Sequence, residues 1–282
     1  GTRNVDAARF CDSARMDTPG RFSRDGAHVA FTSNRSGSRQ VWVATRDCSA
    51  PRGVTAIEAA SVNIGSWSPD GRAVAFDAVI DGNADVYVVG AEGGPIRRLT
   101  DKPSVDSDPE WSGDGRWIYY VSDASGRSEI WRIPAGGGQA AKVTSGGGFE
   151  PREASDGRTL YYVDRPRRME GLGANVTLKQ VPASGGEERV VLSGVRAGTW
   201  DITDRGIIFL TTDSDLPIPG REGDALAFYD FADRRVRPLA KLSFNLARFQ
   251  APRLTVSRDG RWVLANHLDA WERDVMVADN FR

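Results

Sequence analysis

Side chains with oxygen donors recur along this 282-residue chain, each a short distance ahead of a repeated turn. They are Asp17, Asn63, Asp108, Glu150 and Gln250. Carboxylate and amide oxygens are the ligands that hard divalent cations prefer. If the fold gathers these positions, the sequence permits a cation site there. The alternative, which we favour, is that they are solvated polar residues lining a water-filled space.

Charged residues of both signs stand beside these oxygen donors. Glu110 follows Asp108 by two positions, Arg152 follows Glu150 by two, and Arg253 lies shortly after Gln250. Because carboxylates and guanidinium groups at close range form ion pairs, some of these residues are expected to neutralise one another. We therefore predict no metal ligand among them.

A second group of charged residues lies in two long connections. The first, 164–175, carries a basic run, and the second, 213–225, is mainly acidic. The predicted ligand or partner surface consists of Arg165, Arg167, Arg168, Asp213, Asp215 and Arg221. A basic run of this kind binds acidic peptides or phosphate groups. Pairing of the two connections with each other is the reading we favour over an external ligand.

Catalytic patterns are missing from the sequence. No Gly-x-Ser-x-Gly turn occurs, and a serine triad would have to use His28 or His267, the two histidines of the chain. Both are interpreted as ordinary strand residues. Cys-x-x-Cys and His-x-x-x-His pairs are also missing, which disfavours zinc. We predict no catalytic residue and no cofactor.

An internal repeat defines the elements that carry these residues. Segments such as Trp67-Ser68-Pro69-Asp70-Gly71 recur with a period of about 47 residues, and their glycines stand at 26, 71, 115, 157, 206 and 260. An Asp-Gly pair supplies the positive φ angles that a tight hairpin needs. An apolar triplet follows nearly every pair, for example Val74-Ala75-Phe76. Two more apolar centres follow further along, so each copy holds four short strands.

Four strands per copy and six copies predict an all-β fold, a six-bladed β-propeller with antiparallel blades. The predicted blades span 17–56, 62–101, 106–145, 149–193, 197–242 and 249–282, in a single domain of 1–282. An N-terminal strand within 5–15 is expected to complete the last blade and close the ring. The predicted channel mouth then comprises Asp17, Asn63, Asp108, Glu110, Glu150, Arg152, Gln250 and Arg253.

Composition limits the partners. A net charge of −1 argues against binding to nucleic acid or to an anionic membrane surface through this domain. No apolar run approaches the roughly 20 residues of a membrane-spanning helix. Cys11 and Cys48 have no metal-ligand spacing, and two unpaired thiols are expected. The alternative, that the ring brings an outer strand and a blade-one turn together, stays open.

The repeat resembles that of TolB-like β-propellers, related to WD-type repeats. Trp67 to Phe76, Asp85-Val86-Tyr87-Val88 and Arg97-Arg98-Leu99-Thr100 carry the likeness, and Ser128-Glu129-Ile130-Trp131 repeats the third strand. The ending Asp274 to Arg282 is similar to the tail of bacterial regulators in which a winged-helix DNA-binding domain precedes such a propeller. These resemblances imply neighbouring domains in a longer chain and favour the periplasm over the cytoplasm.

Three functions remain after these exclusions. The leading hypothesis is a non-enzymatic propeller that binds a protein or small-molecule ligand as the sensory or interaction module of a larger bacterial protein. The first alternative is a metal-dependent hydrolase of the lactonase type that uses the central channel. The second alternative is a purely architectural domain.

Overall fold

The computed structural model describes residues 3–5, 8–11, 20–164, 175–211, 225–242, 254–269 and 272–279. Every regular element among them is a β-strand. The part of the chain before residue 56 contains β1 (Arg3–Val5), β2 (Ala8–Phe10), β3 (Arg21–Phe22), β4 (His28–Ser33), β5 (Gln40–Thr45) and β6 (Arg52–Gly53).

Two further sets of four follow, and each set forms its own antiparallel sheet, as do β3–β6. The strands are β7 (Ser61–Trp67), β8 (Ala73–Ile80), β9 (Asn83–Gly90), β10 (Arg97–Arg98), β11 (Asp106–Trp111), β12 (Trp117–Ser122), β13 (Glu129–Pro134) and β14 (Ala141–Lys142). The four strands predicted for each of the first three copies are therefore present, with the Asp-Gly turn between the first and second.

The next two copies are joined in one sheet. Its strands are β15 (Phe149–Glu153), β16 (Thr159–Asp164), β17 (Asn175–Pro182), β18 (Arg189–Ile202), β19 (Gly206–Thr211), β20 (Ala225–Asp230) and β21 (Val236–Leu242). The predicted boundary at 193–197 lies inside β18, which differs from the expectation of two separate blades. The chain crosses from one copy to the next with positive φ angles at Gly194 and Gly198 and with shifts of register, and the first half of β18 pairs with β17 and the second half with β19.

The last copy contains β22 (Leu254–Val256), β23 (Trp262–Asp269) and β24 (Glu272–Asp279). The N-terminal β2 pairs antiparallel with β24, with Phe10 opposite Val275. The expected single strand within 5–15 is instead two short ones, because β1 pairs in parallel with β21 at the edge of the preceding sheet. The innermost strands contact one another in the cyclic order β3, β7, β11, β15, β18, β22 and back to β3.

The Asp-Gly turns are held by a repeated set of hydrogen bonds. In the second copy the Ser68 hydroxyl donates to Asp70 at 2.6 Å and accepts from the amide of Ala73 at 2.9 Å. Gly71 has a φ of +70°, which few side chains tolerate, and donates its amide to the Ser68 carbonyl. Ser23, Ser112 and Ser257 make the equivalent hydroxyl bond to an aspartate.

Apolar residues of neighbouring sheets form the core. Trp67 is buried, and Trp42, Trp111 and Trp131 pack partly buried against clusters that link adjacent sheets. The indoles therefore belong to the core. In the first three copies a buried polar residue of the third strand accepts a hydrogen bond from the hydroxyl of a threonine two residues after the fourth strand: Gln40 from Thr55, Asp85 from Thr100 and Glu129 from Thr144.

The two cysteines form a disulfide, with their Cα atoms 5.2 Å apart. The expectation of two unpaired thiols is wrong. Pairing of β2 with β24 brings Cys11 beside the turn that joins β5 to β6, where Cys48 lies. None of the described elements is a helix with the length and hydropathy needed to cross a membrane.

Candidate functional site

Six side chains occupy the same position in the six copies, each one residue before the residue that leads into the turn, which is aromatic or apolar in five copies and Glu153 in the fourth. We call them the inner ring: Arg21, Ser66, Glu110, Arg152, Asp201 and Thr255. All lie on or next to the innermost strands, whose cyclic contacts bring these positions together at the centre. Two are cationic and two are anionic, so the formal charges cancel.

Asp201 is the centre of the ion pairs in the inner ring. Its carboxylate lies 3.1 Å from Arg21 and 3.2 Å from Arg152. It also accepts hydrogen bonds from the Thr255 hydroxyl at 2.8 Å and the Val256 amide at 2.9 Å. Burial opposes ionisation of this carboxyl, but the two guanidinium groups hold its pKa below the ordinary value. Asp201 is therefore a buried carboxylate that stays ionised.

Arg152 is the most strongly anchored cation of the inner ring. It donates to Asp201 and to its neighbouring carbonyl at Pro151, and its guanidinium lies 5.7 Å from the ring centre of Trp200. Burial disfavours its charge, but the carboxylates of Glu110 and Asp201 raise its pKa above the ordinary value. Arg152 therefore keeps its charge.

Glu110 differs from Asp201 in its hydrogen-bond partners. Its Oε2 atom lies 3.8 Å from both Arg21 and Arg152, beyond hydrogen-bond distance. This atom is buried and accepts no hydrogen bond from the residues that the structure describes. Burial raises the pKa of the Glu110 carboxyl, although both guanidinium groups act in the opposite direction. Glu110 is the acceptor of the inner ring that is available to a ligand with a donor.

A cavity of about 100 Å³ lies on the turn side of the inner ring. Arg21, Glu110 and Asp201 contribute to its wall, together with turn residues that include Gly113 and Arg258. Such a volume holds about three water molecules or one small side chain. The cavity therefore joins buried charges to the surface that carries the Asp-Gly turns.

Two arginines, which we call the mouth arginines, reach across this cavity from the first and last copies. Arg24 donates to the carbonyl of Gly113 at 3.0 Å, and Arg258 donates to the carbonyl of Glu153 at 3.1 Å. Arg24 is exposed, and Arg258 also lies 3.4 Å from Asp204. Both guanidinium groups thus bond to neutral carbonyls at the entrance of the cavity.

The indoles at the cavity differ between copies. Trp67 donates its Nε1 hydrogen to the Arg21 carbonyl at 2.8 Å. Trp111 occupies the equivalent repeat position, but its buried Nε1 has no acceptor among the described residues. A donor at Trp111 and an acceptor at Glu110 are therefore both unsatisfied in residues that line one cavity.

The oxygen donors predicted for the channel mouth are bound to neighbouring strands. Asn63 donates to Asp77 at 2.8 Å, and the amide of Asp108 donates to the same carboxylate at 3.1 Å. Glu150 accepts from the Gly198 amide at 3.0 Å and from the Trp200 indole at 2.7 Å. Asp108 and Glu150 lie in irregular strand pairings with φ near +50°. Asp17, Gln250 and Arg253 lie outside the described residues.

A metal site is not formed by the residues that the structure describes: no three His, Cys, Asp or Glu side chains are grouped to hold an ion. The carboxylates of Glu110 and Asp201 instead lie beside the guanidinium groups of Arg152 and Arg21. The predicted partner surface of Arg165, Arg167, Arg168, Asp213, Asp215 and Arg221 falls outside the described residues.

Sequence reasoning identified Glu110 and Arg152 but missed their partners Arg21 and Asp201. The signal was available, since all four stand at one repeat position and differ in charge between copies. The mouth arginines were missed although both stand at one repeat position, before Asp25 and Asp259, because the sequence does not show that these two turns meet at one cavity. Arg152 and Glu153, adjacent residues of opposite sign, do not pair: Glu153 accepts the Tyr119 hydroxyl at 2.8 Å and the Gly113 amide.

Comparison with known proteins agrees with this architecture. The family model described as the TolB beta propeller domain matches residues 56–214. A putative TolB from Agrobacterium tumefaciens is similar at 24% identity over 62% of this chain and 64% of that chain, with a TM-score of 0.58. TolB from Acinetobacter baumannii is similar at 15% identity over 96% of this chain and 56% of that chain, with a TM-score of 0.63.

An oligogalacturonate lyase from Vibrio parahaemolyticus has the same fold at 12% identity, covering 99% of this chain and 98% of that chain with a TM-score of 0.57. The present chain spans less than two thirds of the length of the two structures named before it. At these identities the likenesses establish the fold alone.

Proposed function

Because the chain belongs to the TolB β-propeller domain family, we propose that it is a non-enzymatic domain that binds a protein ligand at the cavity bounded by the mouth arginines. The ligand presents a carboxylate, either an acidic side chain or a chain terminus. The observation that carries this proposal is the placement of Arg24 and Arg258 across the cavity entrance on neutral carbonyls.

The energetic argument concerns the exchange of hydrogen bonds. A guanidinium bound to a carboxylate makes charge-assisted hydrogen bonds that are roughly twice as strong as bonds between neutral groups. A ligand carboxylate can therefore replace the carbonyls of Gly113 and Glu153 without moving the backbone. Beneath it, a donor group of the ligand reaches Glu110 and an acceptor reaches Trp111.

The inner ring supports a binding role over catalysis. A general acid or base must be able to exchange its proton, and a nucleophile needs a base beside it. The carboxylate of Asp201 is held ionised by two guanidinium groups, and these groups keep their own protons. These three side chains are arranged to hold the innermost strands together.

The experiment is a selection of binders from a displayed heptapeptide library, with the purified domain as bait. Enrichment of Asp, Glu or a free C-terminal carboxylate is expected, and Arg24→Gln with Arg258→Gln should weaken the selected peptides at least tenfold. Arg72→Gln is the matched control, because it is an exposed turn arginine outside the cavity. Peptides that bind the double variant as well as the parent domain would reject the proposal.

We propose further that the fold is a closed ring of six blades with the predicted bounds. The cyclic contacts of the innermost strands and the pairing of β2 with β24 support this count. The predicted partner residues Arg165, Arg167, Arg168, Asp213, Asp215 and Arg221 are proposed as an additional contact surface, to be tested by alanine substitution in the same selection.

The cellular context is part of the proposal. A disulfide between Cys11 and Cys48 favours an oxidising compartment, which supports a periplasmic location. A sensory role beside a winged-helix DNA-binding domain, as the tail resemblance implies, is tested by the sequence that precedes Gly1 in the intact gene.

A further inference from the structure

The N-terminal strand β2 lies at the seam between the last sheet and the first. Three residues pair it with β24: Ala8 with Val277, Arg9 with Met276 and Phe10 with Val275. The strand ends at Phe10, and the next residue, Cys11, is bonded to Cys48 of the first sheet. Two adjacent residues therefore attach the strand to the rest of the molecule in two different ways.

Phe10 makes the noncovalent attachment. Its side chain is 4% exposed and belongs to an apolar cluster that joins Leu264 of the last sheet to Val29, Phe31 and Ala44 of the first. The rings of Phe10 and Phe31 meet edge to face at a centroid distance of 6.0 Å. Because this cluster is small, it adds only limited stabilisation to the three residue pairs that join β2 to β24.

The turn that carries Cys48 is shaped by its own hydrogen bonds. Asp47 accepts from the Thr45 hydroxyl at 2.5 Å and from the Ser49 amide at 3.1 Å, and the Cys48 amide donates to the Thr45 carbonyl at 2.8 Å. The turn therefore keeps its form when the disulfide is broken. When the disulfide is broken, the strand β2 is the part that becomes free to move.

We propose that the Cys11–Cys48 disulfide is a redox latch that holds β2 on the edge of β24, so that its reduction opens the seam between the last and first sheets. Both cysteines are partly exposed and accessible to a small dithiol. With the bond broken, β2 leaves β24 and the edge of that strand loses its hydrogen-bonding partner. This inference rests on the seam and is independent of the ligand proposed above.

The chemistry is thiol–disulfide exchange with a dithiol as reductant. A thiolate of the dithiol attacks one sulfur of the Cys11–Cys48 bond, and the other cysteine leaves as a thiolate that takes up a proton. The second thiol of the reductant then displaces the remaining cysteine. The protein gains two thiols, and the reductant becomes its own disulfide.

The test is hydrogen exchange measured by mass spectrometry on the native protein with and without dithiothreitol, with alkylation of free thiols to report reduction. The amides of β24 should exchange at least tenfold faster after reduction. Those of β9 should be unchanged, since β9 lies next to the outermost strand of a sheet away from the seam. Cys48→Ser should reproduce the result without reductant.

Three outcomes would overturn the latch. In the first, β24 exchanges at the same rate in the reduced and oxidised protein. In the second, all sheets accelerate together, which means that the bond stabilises the whole fold and not the seam. In the third, the disulfide resists millimolar dithiothreitol under native conditions. As a further check, Phe10→Ala in the oxidised protein should increase the hydrogen-exchange rate of the β24 amides by less than reduction of the disulfide does.

Discussion

Asp201 shows at the scale of single residues how a buried carboxylate is held by its surroundings. Two guanidinium groups, a hydroxyl and a backbone amide converge on its two oxygens. Removing one partner of such a buried network leaves the remaining charges without compensation. The buried charges of the inner-ring arginines are therefore compensated by Asp201, and the buried charge of Asp201 is compensated by them.

Asp201→Ala is expected to lower the free energy of unfolding by about 3 kcal/mol, because Arg21 and Arg152 remain charged and buried. Glu110→Gln is the comparison variant, and it should cost less than Asp201→Ala, since it also removes a charge beside the two arginines but the Oε2 atom that it replaces accepts no hydrogen bond from described residues. Urea denaturation measures both, and equal costs would contradict this account of the ring.

A second residue-scale prediction concerns pH. Burial raises the pKa of Asp106, and the neighbouring carboxylate of Asp85 raises it further. The folded state thus binds the Asp106 proton more tightly than the unfolded state, and stability is lost as pH rises from about 3.9 through the raised pKa. Asp106→Asn should abolish this loss and melt at a higher temperature than the parent protein at pH 7.

The control for that measurement is Asp25→Asn. The Ser23 hydroxyl and the Ala27 amide hold the pKa of Asp25 below its ordinary value, so this carboxylate contributes stability above about pH 3.9 that is lost as pH falls. The two variants should therefore change the slope of melting temperature against pH in opposite directions. If the plots of melting temperature against pH for Asp106→Asn and for the parent protein run parallel, the raised pKa of Asp106 is refuted.

At the scale of elements, the hairpin between β7 and β8 depends on backbone conformation more than on space. Gly71 has a φ of +70°, and an added Cβ would meet nothing within 4 Å. Gly71→Val should lower stability by about 1–3 kcal/mol through backbone strain alone. Gly71→Asn should cost less, since asparagine tolerates this region. Thermal denaturation of both variants measures the difference, and an unchanged midpoint for Gly71→Val would be inconsistent with it.

The strands of the first three sheets could be predicted because each follows a turn signal and an apolar triplet such as Val74-Ala75-Phe76. The run through β18 could not, since residues 193–197 carry no triplet or Asp-Gly pair, and the strand continues from one copy into the next through irregular pairing at Gly194 and Gly198. The parallel pairing of β1 with β21 and the Cys11–Cys48 bond depend on contacts distant in sequence. At the site, Glu110 was identified from its type, whereas the role of Asp201 required the ring geometry.

At the scale of the whole molecule, the charges of the inner ring are expected to disfavour the binding of a cation. Arg21 and Arg152 lie beside both acidic residues of the inner ring. Addition of 5 mM calcium or manganese should therefore leave the melting temperature within about 1 °C, because a ligand stabilises only as far as it binds the folded state. Differential scanning fluorimetry with a chelator control checks this, and a rise of several degrees would favour the hydrolase alternative.

The continuous strand β18 makes the molecule mechanically uneven. Its two halves pair with β17 and β19, so the strands from β15 to β21 share one hydrogen-bonded ladder, whereas the first three sheets are separate. Neighbouring sheets joined by turns can tilt against one another, but sheets sharing a strand must bend it to do so. The sheet from β15 to β21 is thus expected to be the stiffer part of the described residues. Any breathing of the domain that admits a ligand is expected between the separate sheets β3–β6, β7–β10 and β11–β14.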